Sequence, residues 1–220
     1  FTIHFRDISK DFFMKYVLLI GDDLFGLHLA NEILSCKSPP ELVVIGSIKE
    51  WKARINYELK YIKRNGFLLR FSQILGSIVY RLIYFRKNEK KIISGILGNG
   101  DWEELKRKAK SCGTKLLFLD NPNYSSQLAL ESISKSQPDY ILCLTPFWIS
   151  KKVREISKFK KVIGSHPGLT QFYRGSSSSF YCSYEHSEHL NGFSIFYLDS
   201  GVDSGNLLMQ GKIPYLNSES

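Results

Sequence analysis

The chain has 220 residues, 43% of them hydrophobic and 23% charged, which is ordinary for a soluble globular protein. Lys and Arg outnumber Asp and Glu by nine, and the stretch from Trp51 to Lys91 alone carries that whole excess. Four cysteines lie far apart with no Cys-x-x-Cys pair, so neither a zinc site nor a disulfide framework is indicated, and a reducing compartment is expected.

The first natural start in the sequence is Met14, which runs directly into an apolar segment. Residues 1–13 contain two acidic and two basic residues and no apolar core, so they are not a signal peptide. We interpret 1–13 as a non-native or disordered leader and 14–220 as the domain.

The first elements predict an α/β fold. Residues 16–21 and 42–45 read as buried strands, and the pattern that begins at Leu24 reads as the helix between them. This order predicts a Rossmann-like, mostly parallel sheet with helices on both faces. The turn Gly21-Asp22-Asp23 lacks the Gly-x-Gly-x-x-Gly pattern, and its two carboxylates would repel a pyrophosphate, which argues against a dinucleotide. One of the two aspartates could have no role in ligand binding and simply cap the helix that follows.

Residues 51–91 form a basic helical insertion. A basic helix, Trp51–Arg64, is separated by Gly66 from the apolar stretch Phe67–Phe85, which Arg70 and Arg81 interrupt. Each arginine near a bilayer centre would cost roughly 2.5–3.5 kcal/mol, so a membrane span is disfavoured. The insertion could pack on the domain, lie on an anionic membrane surface, or bind nucleic acid. Nucleic-acid binding is the least supported of the three, because no known nucleic-acid-binding motif accompanies the basic residues.

The remaining pattern continues the alternation of helices and strands. It predicts helices over 102–112, 125–136 and 150–157 and strands over 115–119 and 139–144. A short apolar run at Val162 and Ile163 stops at Gly164, which predicts that His166 lies at the carboxyl end of a strand, where open α/β sheets bind ligands. Asp203 lies in a second turn-rich loop, 199–205, and a carboxylate beside an imidazole would orient it as an acid/base group.

These residues carry a family resemblance. His166-Pro167-Gly168-Leu169, Tyr173-Arg174-Gly175, Gly192 before a strand and Asp203-Ser204-Gly205 resemble the formyltransferases that use 10-formyltetrahydrofolate, most strongly over 138–220. That family includes glycinamide ribonucleotide, methionyl-tRNA and sugar-amine formyltransferases. The resemblance implies a cytoplasmic transferase of one-carbon metabolism that needs no metal. It also implies that the domain is truncated at its C-terminus, because the family continues with a helix.

The resemblance assigns three groups of residues. The catalytic group is His166 and Asp203, with Gly164 where the family has an Asn. The folate would contact Pro146, Phe147, Trp148, Ile149, Asp199, Gly201 and Val202. The acceptor would contact Asp22, Tyr173, Arg174, Gly175 and Ser176. Phe147 and Trp148 could equally be core aromatics, and the serine cluster 176–179 could simply cap a helix. His186 and His189 match no metal-binding motif.

Gly164 divides the functional hypotheses. The family Asn donates its amide to the oxyanion, and removing such a donor typically costs about 100- to 1000-fold in rate. Ser165, Asn206 or a water could replace it; otherwise the protein is a folate-binding homologue with weak or no catalysis. The acidic first turn favours an amine on a sugar or sugar nucleotide as acceptor over glycinamide ribonucleotide or methionyl-tRNA. A membrane-surface interaction module built on 51–91, peripheral to the membrane, is a further hypothesis.

Overall fold

The structure is a computed structural model that describes residues 14–47, 55, 58–59, 61–63, 66–84, 95, 101–175 and 178–213, with the side chains of 69, 77 and 79–84 excepted. The predicted leader at 1–13, Ser176, and parts of the predicted helix Trp51–Arg64 lie outside those residues. The described residues form the strands β1 Tyr16–Gly21, β2 Leu42–Gly46, β3 Lys115–Leu119, β4 Tyr140–Leu144, β5 Val162–His166, β6 Gly192–Tyr197 and β7 Leu207–Lys212. The helices are α1 Leu24–Leu34, α2 Phe67–Tyr84, α3 Trp102–Cys112, α4 Gln127–Lys135, α5 Lys151–Arg154 and α6 Ser178–Tyr184, with a 3-10 turn at Glu188–Leu190.

The seven strands make one sheet in the order β3-β2-β1-β4-β5-β6-β7. The first five strands in this order are parallel, β6 pairs antiparallel with β5, and β7 pairs antiparallel with β6 at the edge of the sheet. The order reverses between β1 and β4, which makes this boundary the switch point of a doubly wound sheet. The predicted mostly parallel, Rossmann-like α/β fold is confirmed.

Helices cover both faces of the sheet. On one face α1 and α3 bury Leu27, Ala30 and Leu105 against alternate residues of β1 and β2. On the opposite face α4 and α5 bury Ile133 and Val153 against the residues in between. We call these the α1/α3 face and the α4/α5 face. Strands apolar on both sides are what a parallel sheet enclosed by helices requires.

Strand register places the ends of β1 and β5 at the same level. Leu19 pairs with Cys143 and Cys143 with Gly164, so Gly21 and His166, two residues further along, end their strands together. Because side chains alternate, His166 shares the α4/α5 face with Gly164 and Val162. Two strand spacings separate Gly21 from His166, roughly 10 Å.

The predicted end of β5 is confirmed, and two predicted helices have bounds that differ from the structure by more than one residue. β5 ends at His166 as predicted, and β6 pairs with it over Ile163–His166. The helix predicted over 150–157 is a single helical turn, α5. After it the chain forms non-helical turns between Glu155 and Lys160. The helix predicted over 125–136 spans 127–135, with Ser126 as its N-cap.

Helix α2 exposes the large apolar side chains that the structure describes in it. Its large hydrophobic residues Phe67, Leu68, Phe71, Ile74, Leu75 and Ile78 are each between 44% and 81% exposed. At 100° per residue these six positions fall within one arc of about 120°. No helix in the described part of the chain combines the length and hydrophobicity that a bilayer crossing requires.

Candidate functional site

The structure brings His166 and Asp203 together. Nδ1 of His166 lies 3.3 Å from Oδ2 of Asp203, which also accepts the backbone N–H of Gly175 at 2.8 Å. The carboxylate therefore joins the end of β5 to the loop before α6. Asp203 has a φ of 48°, in the left-handed region that Asp tolerates better than most residues, and Gly175 has a φ of 78°.

Asp203 reaches His166 by an indirect route. Strand β6 runs antiparallel to β5, and at its end Leu198 donates its backbone N–H to Val162, the first residue of β5. The loop 199–205 thus starts about 13 Å, or four residues, from the level of His166 and folds back towards it. A sequence pattern cannot reveal this path, although it did identify the two turn-rich segments that meet.

The imidazole of His166 is buried, whereas the sequence led us to expect it to be open to solvent at the carboxyl end of the sheet. Its side chain is 6% exposed, and Nε2 lies 2.8 Å from the hydroxyl oxygen of Ser178, itself 4% exposed. Both ring nitrogens are therefore engaged within the protein. Ser178 was missed as an individual residue, since the sequence signal was only a run of four serines, interpreted as a cap or an anion site.

Gly164 has no room for a side chain in this structure. A Cβ at that position would lie 2.7 Å from Cδ2 of Leu198 and 3.1 Å from its Cγ, so Leu198 covers the site. Of the suggested substitutes for the missing amide, Ser165 alternates to the opposite face from His166. Asn206 adjoins Tyr197, which pairs with Ile163 rather than with His166, so neither residue stands beside the imidazole.

The four residues predicted to hold the pterin follow β4 but differ in burial. Ile149 is 5% exposed and belongs to the core, and Phe147 packs partly against it. Trp148 is 61% exposed, with the guanidinium carbon of Arg154 6.0 Å from its ring centre. Pro146 lies against Gly21. The segment therefore presents one exposed aromatic side chain near the switch point.

The loop 199–205 is organised by Asp199. Its Oδ1 accepts the backbone N–H of Gly201 at 2.8 Å and the hydroxyl of Ser204 at 2.7 Å. These bonds, that from Ser204 first, lower the pKa of the Asp199 carboxyl. Val202, at the tip, is 60% exposed and available to a ligand.

Residues expected to contact the acceptor are held around the same loop. Arg174 is exposed and donates Nε–H to the Thr170 carbonyl at 2.7 Å, while the Tyr173 hydroxyl donates to Glu185 at 2.7 Å. That bond to Glu185 raises the pKa of Tyr173. Ser176 lies outside the described residues.

Asp22 lies apart from the other predicted acceptor residues. Its Oδ2 accepts the Ser47 hydroxyl at 2.6 Å, and it borders a cleft of about 350 Å³ with Trp102, Lys106 and Phe118. Trp102 packs on the α1/α3 face, the face opposite to His166. Asp23 caps α1 by accepting the Gly26 N–H at 2.8 Å, so the capping interpretation holds for Asp23.

In the described part of the chain, no three His, Cys, Asp or Glu side chains gather as a metal site would require. His186 lies in a turn with a φ of 51°, and His189 belongs to the 3-10 turn; both are exposed.

The chain is similar to known proteins both in sequence and in fold. The model of the family described as formyl transferase matches residues 89–220. A search of curated proteins gives no match. Among solved structures, the phosphoribosylglycinamide formyltransferase of Streptococcus pneumoniae TIGR4 is 13% identical with a TM-score of 0.52, covering 94% of this chain and 86% of that one. The enzyme of Anaplasma phagocytophilum is 12% identical with a TM-score of 0.56, covering 94% and 75%.

A third structure, glycinamide ribonucleotide transformylase 1 from Symbiobacterium toebii, is 13% identical with a TM-score of 0.55, covering 98% of this chain and 80% of that one. Identities this low establish a common fold, and the family match, which includes more than half of the chain, establishes membership. The chain therefore belongs to the formyl transferase family of enzymes.

Proposed function

We propose that this enzyme transfers a formyl group from 10-formyltetrahydrofolate to a primary amine, with His166 and Asp203 as its acid/base pair. The observation that supports this most is the contact of 3.3 Å between the imidazole and the carboxylate at the carboxyl end of β5. Asp203 can accept only, so it holds the hydrogen of His166 on Nδ1 and leaves Nε2 as the nitrogen for exchange with substrate.

The reaction needs two bond changes and one proton transfer. The amine nitrogen forms a bond to the formyl carbon, the bond from that carbon to N10 of the folate breaks, and the amine proton ends on N10. The role of His166 is to stabilise the oxyanion of the tetrahedral intermediate and to move that proton. Trp148 and Val202, both exposed, offer apolar surface to the pterin.

The acceptor that we favour is an amine on a sugar or sugar nucleotide. This preference rests on the sequence, because the acidic first turn Asp22-Asp23 suits a cationic or neutral group better than a phosphate, whereas in the structure Asp22 lies apart from His166 and Asp23 caps α1. Arg174, exposed beside the loop 199–205, could contact a diphosphate. Glycinamide ribonucleotide, the substrate named for the structural neighbours, is the first alternative, and methionyl-tRNA is the second.

The experiment is a measurement of tetrahydrofolate release from 10-formyltetrahydrofolate with a panel of acceptors. The panel contains amino sugars, amine-bearing sugar nucleotides and glycinamide ribonucleotide. We expect His166→Ala to lower kcat by about 100-fold or more, the range that acid/base groups contribute. The matched control is His189→Ala, an exposed histidine in the 3-10 turn. Equal rates in wild type and His166→Ala would reject the assignment.

A folate-binding protein with weak or no catalysis is the alternative that Gly164 supports. Leu198 covers the position from which the family Asn would donate. Gly164 therefore supplies no amide to the oxyanion, and the structure has no space there for an asparagine side chain. Tight binding of a folate analogue without tetrahydrofolate release from any acceptor would favour this alternative.

We also propose that α2 attaches the protein to an anionic membrane surface. Its exposed apolar arc lies within the insertion 51–91, whose positive excess of nine equals that of the whole chain. An amphipathic helix with basic flanks binds an interface by burying its apolar face while its charges meet anionic lipid headgroups.

The test is co-sedimentation with phosphatidylcholine vesicles that contain or lack phosphatidylserine, at low and high salt. Binding should require the anionic lipid, weaken with salt, and be lost in Phe71→Glu. Gln73→Glu introduces the same charge about 160° away from the centre of the arc and should bind nearly as wild type. Binding that ignores both lipid charge and salt would exclude the proposal.

A further inference from the structure

Ser178 makes the shortest polar contact to the proposed catalytic imidazole. Its hydroxyl oxygen lies 2.8 Å from Nε2 of His166, compared with 3.3 Å between Nδ1 and Asp203. The same oxygen lies 3.2 Å from the carbonyl oxygen of Gly175. Ser178 is the first residue of α6 and is 4% exposed, so this arrangement is internal to the protein.

The donors and acceptors around the ring can be assigned for both of its charge states. The carboxylate of Asp203 requires a hydrogen on Nδ1, so in the neutral ring Nε2 accepts the hydrogen of the Ser178 hydroxyl. In the charged ring Nε2 carries a hydrogen and donates it to the Ser178 oxygen. The hydroxyl hydrogen then turns to the Gly175 carbonyl, 3.2 Å away. One serine therefore keeps Nε2 hydrogen-bonded in either charge state of the ring.

The contact between His166 and Ser178 is short because Gly168, which lies beside it, has no side chain. A Cβ at position 168 would lie 2.8 Å from Nε2 of His166 and 2.8 Å from Cβ of Ser178. Any side chain there would push the ring and the serine apart. The absence of a side chain at Gly168 thus lets the hydroxyl, rather than a neighbouring apolar group, face the nitrogen.

We propose that Ser178 is a positioning residue that holds the ring of His166 in place beside Asp203 and keeps Nε2 hydrogen-bonded whichever charge the ring carries. This inference rests on the proposed role of His166 in formyl transfer. When a formyl oxygen or an amine takes Nε2, the hydroxyl retains the Gly175 carbonyl as its acceptor. The serine acts through the imidazole and forms no bond to substrate.

A nucleophilic serine is the competing role. Carboxylate, imidazole and hydroxyl stand in the order of a nucleophilic triad, which would pass the formyl group through an ester on Ser178. The two roles differ in one observable product, because a nucleophile would carry the formyl group as an ester, whereas a positioning residue forms no bond to substrate.

The test compares Ser178→Ala with Ser178→Thr, which keeps the hydroxyl, and with Ser179→Ala. Ser179 is the exposed neighbour whose hydroxyl contacts Asn191 instead. We expect Ser178→Ala to lower kcat by roughly 10- to 100-fold with KM little changed, since a misplaced catalytic group costs rate rather than binding. Ser178→Thr should recover most of that loss, and Ser179→Ala should match wild type.

Nitrogen NMR of the His166 side chain, assigned from the signal lost in His166→Gln, reads the tautomer without any substrate. Wild type and Ser178→Thr should show hydrogen on Nδ1 and a hydrogen-bonded Nε2, whereas Ser178→Ala should keep the hydrogen on Nδ1 but shift the Nε2 signal to that of a nitrogen without the hydrogen bond from the hydroxyl. An unchanged spectrum in Ser178→Ala would overturn the proposal even if no acceptor has been found. A formyl adduct on the peptide containing Ser178, detected by mass spectrometry of the quenched reaction, would also overturn it in favour of a nucleophile.

Discussion

Gly164 and Leu198 occupy one volume on the α4/α5 face beside His166. The sequence resemblance predicts an asparagine amide, the expected oxyanion donor, at the position of Gly164, and the leucine side chain fills the space beside this glycine. The two residues are complementary in size, because a larger side chain at either position meets the other. The loss of the donor is therefore a matter of packing as well as of a single residue type.

The first prediction follows from that packing. Gly164→Asn alone should not restore an amide donor, since its Cβ would lie 2.7 Å from Cδ2 of Leu198. We expect it to destabilise the fold by roughly 1–3 kcal/mol, the usual cost of overpacking. In the double variant Gly164→Asn with Leu198→Ala, the amide has room.

The measurement is formyl transfer and thermal unfolding of the two single variants and the double variant, with Leu198→Ala as the control. A competent donor should give the double variant at least about a tenfold higher kcat than Leu198→Ala, within the contribution expected of one oxyanion contact. No gain in a stably folded double variant would show that the oxyanion is served by another group.

Sequence reasoning at this scale found the residues that belong to a motif and missed those that complete it. His166 and Asp203 are detectable because each stands in a segment rich in Gly, Pro and Ser. Leu198 is an ordinary apolar residue after a strand, and Ser178 is one of four consecutive serines, so neither carries a distinguishing pattern. Their roles depend on contacts between distant segments, which one sequence does not encode visibly.

The loop 199–205 is the element on which the contact between Asp203 and His166 depends. It has no regular structure, and Asp199 holds it through Gly201 and Ser204 while Asp203 anchors it to Gly175. Because the pKa of Asp199 is lowered on folding, its ionised form stabilises the loop. That contribution is present above the unfolded pKa, about 3.9, and is lost as the pH falls through the lower folded value.

The second prediction concerns the titration of Asp199. Ser204→Ala removes the larger cause of the lowered pKa, so the carboxyl should titrate at a higher pH than in wild type, closer to its ordinary value. Carbon NMR of the Asp199 carboxyl measures this directly. Ser200→Ala, an exposed neighbour in the same loop, serves as the control and should leave the titration in place. An unchanged titration in Ser204→Ala would mean that this bond does not hold the loop.

Elements were predicted well wherever the local pattern agrees with the fold. β1 and α3 have the predicted bounds because continuous apolar residues mark the strand and capping residues frame the helix. The segment 150–157 departs from prediction because the Ser157 hydroxyl forms hydrogen bonds with the backbone of Lys161, which close a turn. A hydrogen bond between side chain and backbone there replaces a second helical turn.

The whole molecule is organised by strands that serve two cores. Alternate residues of β1, such as Leu18 and Leu19, face the α1/α3 and the α4/α5 sides, and all are almost completely buried. The alternation of helix and strand in the sequence predicts this layering. It does not predict the antiparallel β6 and β7, whose place is set by the hairpin that brings Asp203 back to β5.

The last prediction tests whether the two cores act as one. Leu105 on the α1/α3 face and Ile133 on the α4/α5 face are both 0% exposed. Leu105→Ala and Ile133→Ala should each lower the free energy of unfolding by about 2–4 kcal/mol, because each leaves a cavity. Because the central strands belong to both cores, either variant should lower the hydrogen-exchange protection of the Ile163 amide in β5 by a similar factor. If Leu105→Ala destabilised α3 yet left the protection of Ile163 unchanged, the site at His166 would be supported by the α4/α5 face alone.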